Sequence, residues 1–313
     1  MPRGAETPEA MVATAAQRHP RLAAGGVVDG GPLTWTSDPV GSFQIGSVTK
    51  VFTALLLATY VVEGRLRLDH QVHQLLPELA GVPVGSATLD QLSTHTSGLP
   101  RLPRGLWRRA LTRHPDPYGD LDHDLIVDGL ARTRRSRRTR PSYSNLGAGL
   151  LGHALATWAG TDYDTLVQQR ICRPLGLLAT TCHPDTEPAG ARRRGTPHPT
   201  AWHFDALAGA GGLWSTLDDQ LQFLGAQLDP PADGLGKAIR LTQQPRVPGK
   251  RLDQCLGWLR LRGEEGPLLW HNGGTGGYRS FVGVQERSAV AVLTASDRSV
   301  DGVGVRLLQE LAG

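Results

Sequence analysis

The longest apolar run of the chain lies around Val51–Val62, and the hydrophobic positions of the segment that holds it cover most of a helix surface: Val48, Val51, Phe52, Leu55, Leu56, Leu57 and Val61. A helix that is apolar nearly all round belongs in an interior, so the pattern predicts a buried central helix over about 47–63. Upstream, "TPEAMVATAAQRHP" predicts a first helix, and "GGVVDGGPLTWTS" alternates in short runs broken by Gly, as antiparallel strands do. From about 88 to 225 the periodicity is mostly helical, clearest in "YSNLGAGLLGHALATWAG" and "DYDTLVQQRICRPLGL". Beyond about 250 it turns to strands, "CLGWLRLR", "GPLLWHNG", "GYRSFVGVQ" and "AVAVLTAS", and closes on a helix, "GVGVRLLQELAG". Strands near both ends with a helical block between them predict an α+β chain. An antiparallel sheet is assembled from both termini, with flanking helices and an inserted, mostly helical lobe. The expected organisation is one catalytic domain over 1–313, its sheet lobe at about 1–85 and 245–313 and its helical lobe at about 86–244. A site would lie in the cleft between the lobes.

Composition narrows the class. The 313 residues suffice for a sizeable core, and ordinary apolar and charged fractions exclude disordered and collagen-like chains. No uninterrupted apolar run reaches the roughly 18 residues of a membrane span, because Thr53, Thr59 and Tyr60 interrupt the longest one. The N-terminal segment has no apolar core of a secretory signal, and Cys172, Cys182 and Cys255 have no CxxC spacing. The expectation is a reduced, cytoplasmic protein without disulfides or a zinc site. The net charge of +4 demands no nucleic-acid partner. One local exception is "RTRRSRRTR", with Arg132, Arg134, Arg135, Arg137, Arg138 and Arg140. Such a run is expected to be a solvated loop or helix end, with attraction of an anionic substrate as the alternative.

Only three of the 33 basic residues are lysines, Lys50, Lys237 and Lys250, and Lys50 stands inside the apolar helix. Arginine stays protonated in proteins, whereas a desolvated lysine can lose its proton. Ser47 lies three residues earlier, on the same helical face. The pair fits a hydroxyl nucleophile activated by a neutral amine. "PSYSNLG" adds Tyr143 and Asn145, readable as a helix entry with its cap or as a proton-relaying phenol and a substrate-holding amide. "WHNGGTGGYRSF" places His271, Gly273 and Gly274 on a glycine-rich strand. That is either a plain hairpin or an edge whose backbone N–H groups form an oxyanion hole. No GxSxG or HExxH occurs, and "DLDHDLIVDG" lacks the glycine and closing glutamate of a calcium loop. No metal and no organic cofactor is expected.

SxxK, YxN and HxG in that order resemble the serine acyl-enzyme family of class C β-lactamases and penicillin-binding DD-peptidases. "LSTHTSGLP" and "GAGGLWSTLDDQLQFL" extend the likeness over about 25–300. The resemblance implies a β-lactamase/transpeptidase-like fold, with Ser47 as nucleophile, Lys50 as its activating partner and Tyr143 as general acid/base. It implies substrate-binding roles for Asn145, His271, Gly273 and Gly274, with the N–H groups of Ser47 and Gly274 forming the oxyanion hole. His271 is expected to face the pocket beside Tyr143, and His95 in the "THTSG" loop to be structural.

The expected activity is serine hydrolysis of a small ester, amide or thioester, anionic where the arginine run borders the cleft. Neither nucleic acid nor membrane is expected as a partner. The same acyl-Ser47 would serve a cytoplasmic transacylase forming amides in secondary metabolism. In an exported protein it would serve a DD-carboxypeptidase or a β-lactamase. A catalytically silent scaffold is the non-enzymatic alternative. Hydrolysis versus transfer, the acyl donor and the oligomeric state have no mark in the sequence.

Overall fold

The computed structural model describes residues 6–19, 21–35, 41–101, 116, 118–119, 122–136, 140–187, 201–263 and 266–312. Its main sheet has seven antiparallel strands in the order β2-β1-β9-β8-β7-β6-β5. Strands β1 (Leu22–Val28) and β2 (Gly31–Thr34) come from the N-terminal end. Strands β5 (Leu252–Gln254), β6 (Leu259–Leu261), β7 (Leu268–Gly274), β8 (Arg279–Gln285) and β9 (Ser288–Thr294) come from the C-terminal end. The two ends join where β1 pairs with β9, Leu22 opposite Thr294 through Val28 opposite Ser288. A short second sheet pairs β3 (Phe43–Gln44) with β4 (Trp214–Ser215).

Strand β9 is buried at every position, which is why "AVAVLT" is apolar without alternation: both faces are covered. Its odd-numbered residues Ala289, Ala291 and Leu293 join the large core around helix α2 (Thr49–Val62). Val290 and Val292 pack on the opposite face with Met11, Val12, Leu307 and Leu308. Those last four come from the terminal helices α1 (Pro8–Ala16) and α9 (Asp301–Ala312). Between them in sequence lie α3 (Leu89–Ser93), α4 (His123–Ala131), α5 (Asn145–Ala159), α6 (Tyr163–Val167), α7 (Leu217–Leu228) and α8 (Gly234–Gln243). Helix α7 covers β9 and β1, and α8 packs on α2.

Helix α2 is buried on every face from Thr49 to Tyr60, as its all-round hydrophobicity predicts. The predicted helix start at Ser47 differs in detail: residues Gly46–Val48 form a 3₁₀ turn that runs into α2. This turn is held against the end of β7. The Ser280 hydroxyl donates to Ile45 O at 2.7 Å. A Cβ on Gly46, itself at φ +51°, would stand 2.6 Å from Gly274 N. A Cβ on Gly273 would overlap Ile45 O and the Ser280 hydroxyl. Two backbones approach so closely here that only glycine fits. Substituting Gly273→Ala is therefore expected to cost about 1–3 kcal/mol of stability, read from denaturant unfolding. Unchanged stability would show that strand and turn can separate freely.

Candidate active site

The 3₁₀ turn lifts Ser47 to the floor of a cleft of about 760 Å³. One turn later, Lys50 is 3% exposed inside the core. Its Nζ donates to Ser47 Oγ at 2.8 Å and to the Ala210 carbonyl at 2.6 Å. The carbonyl belongs to a strap, Gly209–Leu213, that lies along the start of α2. Thr53 Oγ1 donates to Gly209 O, and Leu213 N donates to Thr49 Oγ1. From the other side Tyr143 OH donates to Ser47 Oγ at 2.6 Å. Lys50 Nζ also lies 5.0 Å from the Tyr143 ring centroid.

Tyr143 is placed by its flanks. Ser142 N donates to His95 O, Ser144 N to His95 Nδ1, and the Ser144 hydroxyl to Pro100 O. Ser144 also caps α5 by accepting from Gly147 N. The His95 ring sits 4.6 Å from that of Tyr143, on a backbone at φ +59°. Asn145 opens α5 and donates from Nδ2 to Tyr118 OH at 2.8 Å. The cleft wall opposite is the end of β7, Asn272–Thr275. Thr275 N bonds Tyr278 O across the hairpin, and ladder bonds alternate along an antiparallel pair. The N–H of Gly274 therefore points away from β8, toward the cleft beside Ser47.

His271 is 2% exposed and does not itself line the open cleft. By the two-residue alternation of β7 it shares a face with Gly273, the face that meets Ile45 at the start of the Ser47 turn. Its Nδ1 donates to Asn272 O at 2.7 Å. It lies close enough to Lys50 and His95 to feel their charge, beside the groups packed on Tyr143 and below the open cleft, with desolvation and Lys50 holding it down at about 3. Among the described residues the cations lining the cleft are Arg101 and Arg279, neither of which the motifs singled out. Arg279 donates to the carbonyls of Thr275 and Tyr278, which lays its guanidinium over Gly274. Asp301 also borders the cleft and accepts from Asn272 Nδ2 at 2.8 Å. Arg101 could have been noticed as the charge ending the "THTSGLPR" loop, and Arg279 as the charge just past a glycine-rich turn.

The arginine run contributes little to this wall. Arg135 staples loops, donating to Ser97 O, Ser86 Oγ and Gln91 Oε1. Arg134 and Arg140 line a separate pocket beside Pro141 and Ser142. Arg137 and Arg138 lie outside the described residues. Among the described residues no group of three or more His, Cys, Asp or Glu is arranged to hold a metal. None of their helices is long and apolar enough to cross a membrane. The cysteines are free thiols.

Burial sets the protonation of the centre. Desolvation, reinforced by Arg101, pushes Lys50 well below the ordinary lysine range, toward the neutral amine. Desolvation raises the Tyr143 phenol to about 12, against the pull of its Ser47 bond and of Arg101. Desolvation and the nearby Lys50 lower both His95 and His271 to about 3. The resting arrangement is a basic amine and an intact phenol converging on one hydroxyl, with two neutral imidazoles behind them.

Two outcomes follow for Lys50→Met. Loss of the base is expected to slow acylation of Ser47 by about 10²–10⁴-fold. The stability effect has the opposite sign. Between the depressed native pKa and the ordinary lysine value the unfolded chain binds a proton that the native one does not, so native stability rises with pH. The methionine variant is thus expected to unfold at higher temperature, and its advantage to widen as pH falls from about 10. Melting curves over that range, compared with wild type, check the sign.

A family model described as Beta-lactamase matches residues 7–312. The D-alanyl-D-alanine-carboxypeptidase/endopeptidase AmpH of Escherichia coli K12 is 28% identical over 279 residues, 82% of this chain and 71% of that protein. Penicillin-binding protein 4 of Amycolatopsis lactamdurans is 27% identical over 321 residues, 93% of this chain and 81% of its own. Among solved structures, a class C β-lactamase from Rhodobacter sphaeroides superposes with a TM-score of 0.81 at 22% identity, covering 97% of both chains. Another class C β-lactamase gives 0.85 at 19% identity, over 98% of this chain and 96% of the other. The match of nearly the whole chain to one family model places this protein in the β-lactamase family of serine hydrolases.

Proposed function

We propose that this protein cleaves small esters or amides through an acyl-enzyme on Ser47. The observation that carries this reading is the convergence of Lys50 Nζ and Tyr143 OH on Ser47 Oγ, at 2.8 and 2.6 Å, on the floor of a cleft. Burial favours the forms the step needs, lowering Lys50 toward the neutral amine and raising the Tyr143 phenol to about 12. The neutral amine of Lys50 takes the hydroxyl proton as Oγ attacks the carbonyl carbon. The N–H groups of Ser47 and Gly274 stabilise the oxyanion. Tyr143 gives its proton to the leaving oxygen or nitrogen and recovers one from the Lys50 ammonium. Water then enters, loses a proton to the same pair and releases the acid, restoring Ser47.

Amides belong to the substrate class by analogy with relatives named β-lactamase and carboxypeptidase. Arg279 over Gly274 and Arg101 across the cleft support an anionic substrate, since arginine matches a carboxylate in fork geometry. Among the described residues of the arginine run none lines the cleft, so these two cations carry that part of the reading.

Incubation with a p-nitrophenyl ester and with a fluorescent penicillin, followed by intact mass, tests the nucleophile. A mass adduct mapping to Ser47 and absent from Ser47→Ala is expected. Turnover surviving in Ser47→Ala would overturn the reading, and neither turnover nor adduct would favour a silent relative. Added amine decides the acyl acceptor: amide product with faster ester consumption means transfer, and unchanged acid release means hydrolysis. The acylation rate is expected to rise with pH as Lys50 loses its proton, then hold until Tyr143 ionises toward 12. An optimum in acid would contradict a neutral Lys50 as the base.

A further inference from the structure

Two arginines of the 132–140 run have nothing to bond. Arg132 reaches Asp128 at 4.0 Å, and Arg135 donates to Ser97 O, Ser86 Oγ and Gln91 Oε1. Arg134 and Arg140 have no hydrogen-bond or ion-pair partner among the described residues, yet both line one cavity of about 480 Å³. Its other described lining residues are Gly98, Leu99, Pro100, Ser136, Pro141 and Ser142, with no carboxylate and no aromatic ring among them.

This cavity shares a wall with the catalytic cleft and is separate from it. Pro100 and Ser142 line the cavity, whereas the residues that follow them, Arg101 and Tyr143, line the cleft. The two segments of the wall are tied together: the Ser144 hydroxyl donates to Pro100 O at 2.7 Å, and Ser142 N donates to His95 O at 2.8 Å. The segment carrying Arg134 is fastened to the same loop. Ser136 N donates to Gly98 O at 2.7 Å, and Arg135 Nε to Ser97 O at 2.7 Å. Gly98 is at φ +71°, and a Cβ on it would stand 2.2 Å from Ser136 O, so only glycine admits that approach. Both arginine-bearing segments are thus pinned to residues 95–100, and a ligand would not have to assemble the site, which lowers the cost of binding.

An arginine run on a solvated loop would let its side chains diverge into water. These two converge on one concavity, stay protonated and repel each other without a countercharge. An anion relieves that repulsion, and guanidinium forks match the oxygens of a phosphoryl group. The Ser142 hydroxyl adds a further donor at the rim. The volume is that of a small-molecule pocket. A nucleic-acid strand would call for stacking aromatics along a basic groove, and the described lining has none.

We propose that this cavity is a second, non-catalytic site that binds the phosphoryl group of a small molecule through Arg134 and Arg140, on the far side of the wall that carries Tyr143. It is independent of the chemistry at Ser47.

Calorimetric titration of the full-length protein with inorganic phosphate, ribose 5-phosphate and ribose tests it. The variants are Arg134→Gln, Arg140→Gln, the two combined, and the cleft substitutions Arg101→Gln and Arg279→Gln. Both phosphates are expected to compete for one site on wild type, and ribose not to bind. Tighter binding of ribose 5-phosphate identifies an organic phosphate as the ligand, and equal or weaker binding identifies free phosphate. Arg134→Gln and Arg140→Gln are each expected to weaken phosphate binding by roughly 10-fold, and the double variant to bind neither phosphate. Arg101→Gln and Arg279→Gln are expected to stay within about twofold of wild type. Both arginines of the cavity are exposed, so their variants are expected to melt with wild type in phosphate-free buffer, which separates lost binding from lost fold. Binding that survives the double variant, or that disappears in Arg101→Gln or Arg279→Gln, would put the anion in the catalytic cleft and overturn the proposal. Absence of saturable binding by either phosphate would overturn it as well. So would an RNA oligonucleotide that binds more tightly than its own 5′-monophosphate nucleotide and depends on the same two arginines, because the surface would then serve a strand.

Discussion

A lysine amine held inside an apolar helix is the constraint around which this molecule is arranged. Helix α2 buries every face from Thr49 to Tyr60, and its one lysine has two hydrogen-bond partners among the described residues, Ser47 Oγ and the Ala210 carbonyl. A charged lysine there is strongly disfavoured by desolvation, and the neutral form is a base beside a hydroxyl. The strap that supplies the carbonyl is fastened to α2 by bonds to Thr49 and Thr53, so the environment that depresses Lys50 is built from the core itself. His95 and His271 stay neutral for the same reason, and neither adds a competing positive charge behind the site.

The second requirement is closeness of two backbones. The 3₁₀ turn carrying Ser47 and the end of β7 carrying Gly274 come from opposite parts of the chain, and their N–H groups serve one oxyanion only if they lie side by side. Gly46 and Gly273 permit the approach, and the Ser280 hydroxyl bonds it shut through Ile45 O. Long-range β pairing thus places the electrophilic half of the site, and helix α2 places the nucleophilic half. The aromatic shelf of Tyr118, Trp202 and Phe204 closes the third side, and Gln44 ties it to the strand that leads into the turn.

Much of this was legible in the residues. All-round hydrophobicity marked α2 as central, and the terminal strand patterns marked a sheet drawn from both ends, which β1 and β9 complete by pairing. Ser47 and Lys50 were legible because a lone lysine in an apolar run is chemically conspicuous. Tyr143 and Asn145 emerged only together with the other motifs. The near-complete burial of His271 was not legible in "WHNGG", because desolvation depends on what packs over the strand. Arg101, Arg279 and Tyr118 were not singled out for a physical reason: each reaches the cleft from a loop or hairpin whose path depends on distant packing. The Ala210 carbonyl has no side-chain mark at all.

The amino-acid sequence by itself determined the chemical identity of the groups proposed to react and the periods of the elements that hold them, because hydroxyl, amine and phenol chemistry and helical spacing are local properties. The tertiary structure alone decided which of these groups meet. It buried Lys50 deeply enough to disfavour its charge, set His271 beside it in the same buried centre, and brought Arg279 over Gly274. Desolvation and direction depend on what surrounds an atom in space, and those surroundings are assembled from segments more than 200 residues apart, as the bond from Ser280 to Ile45 spans 235.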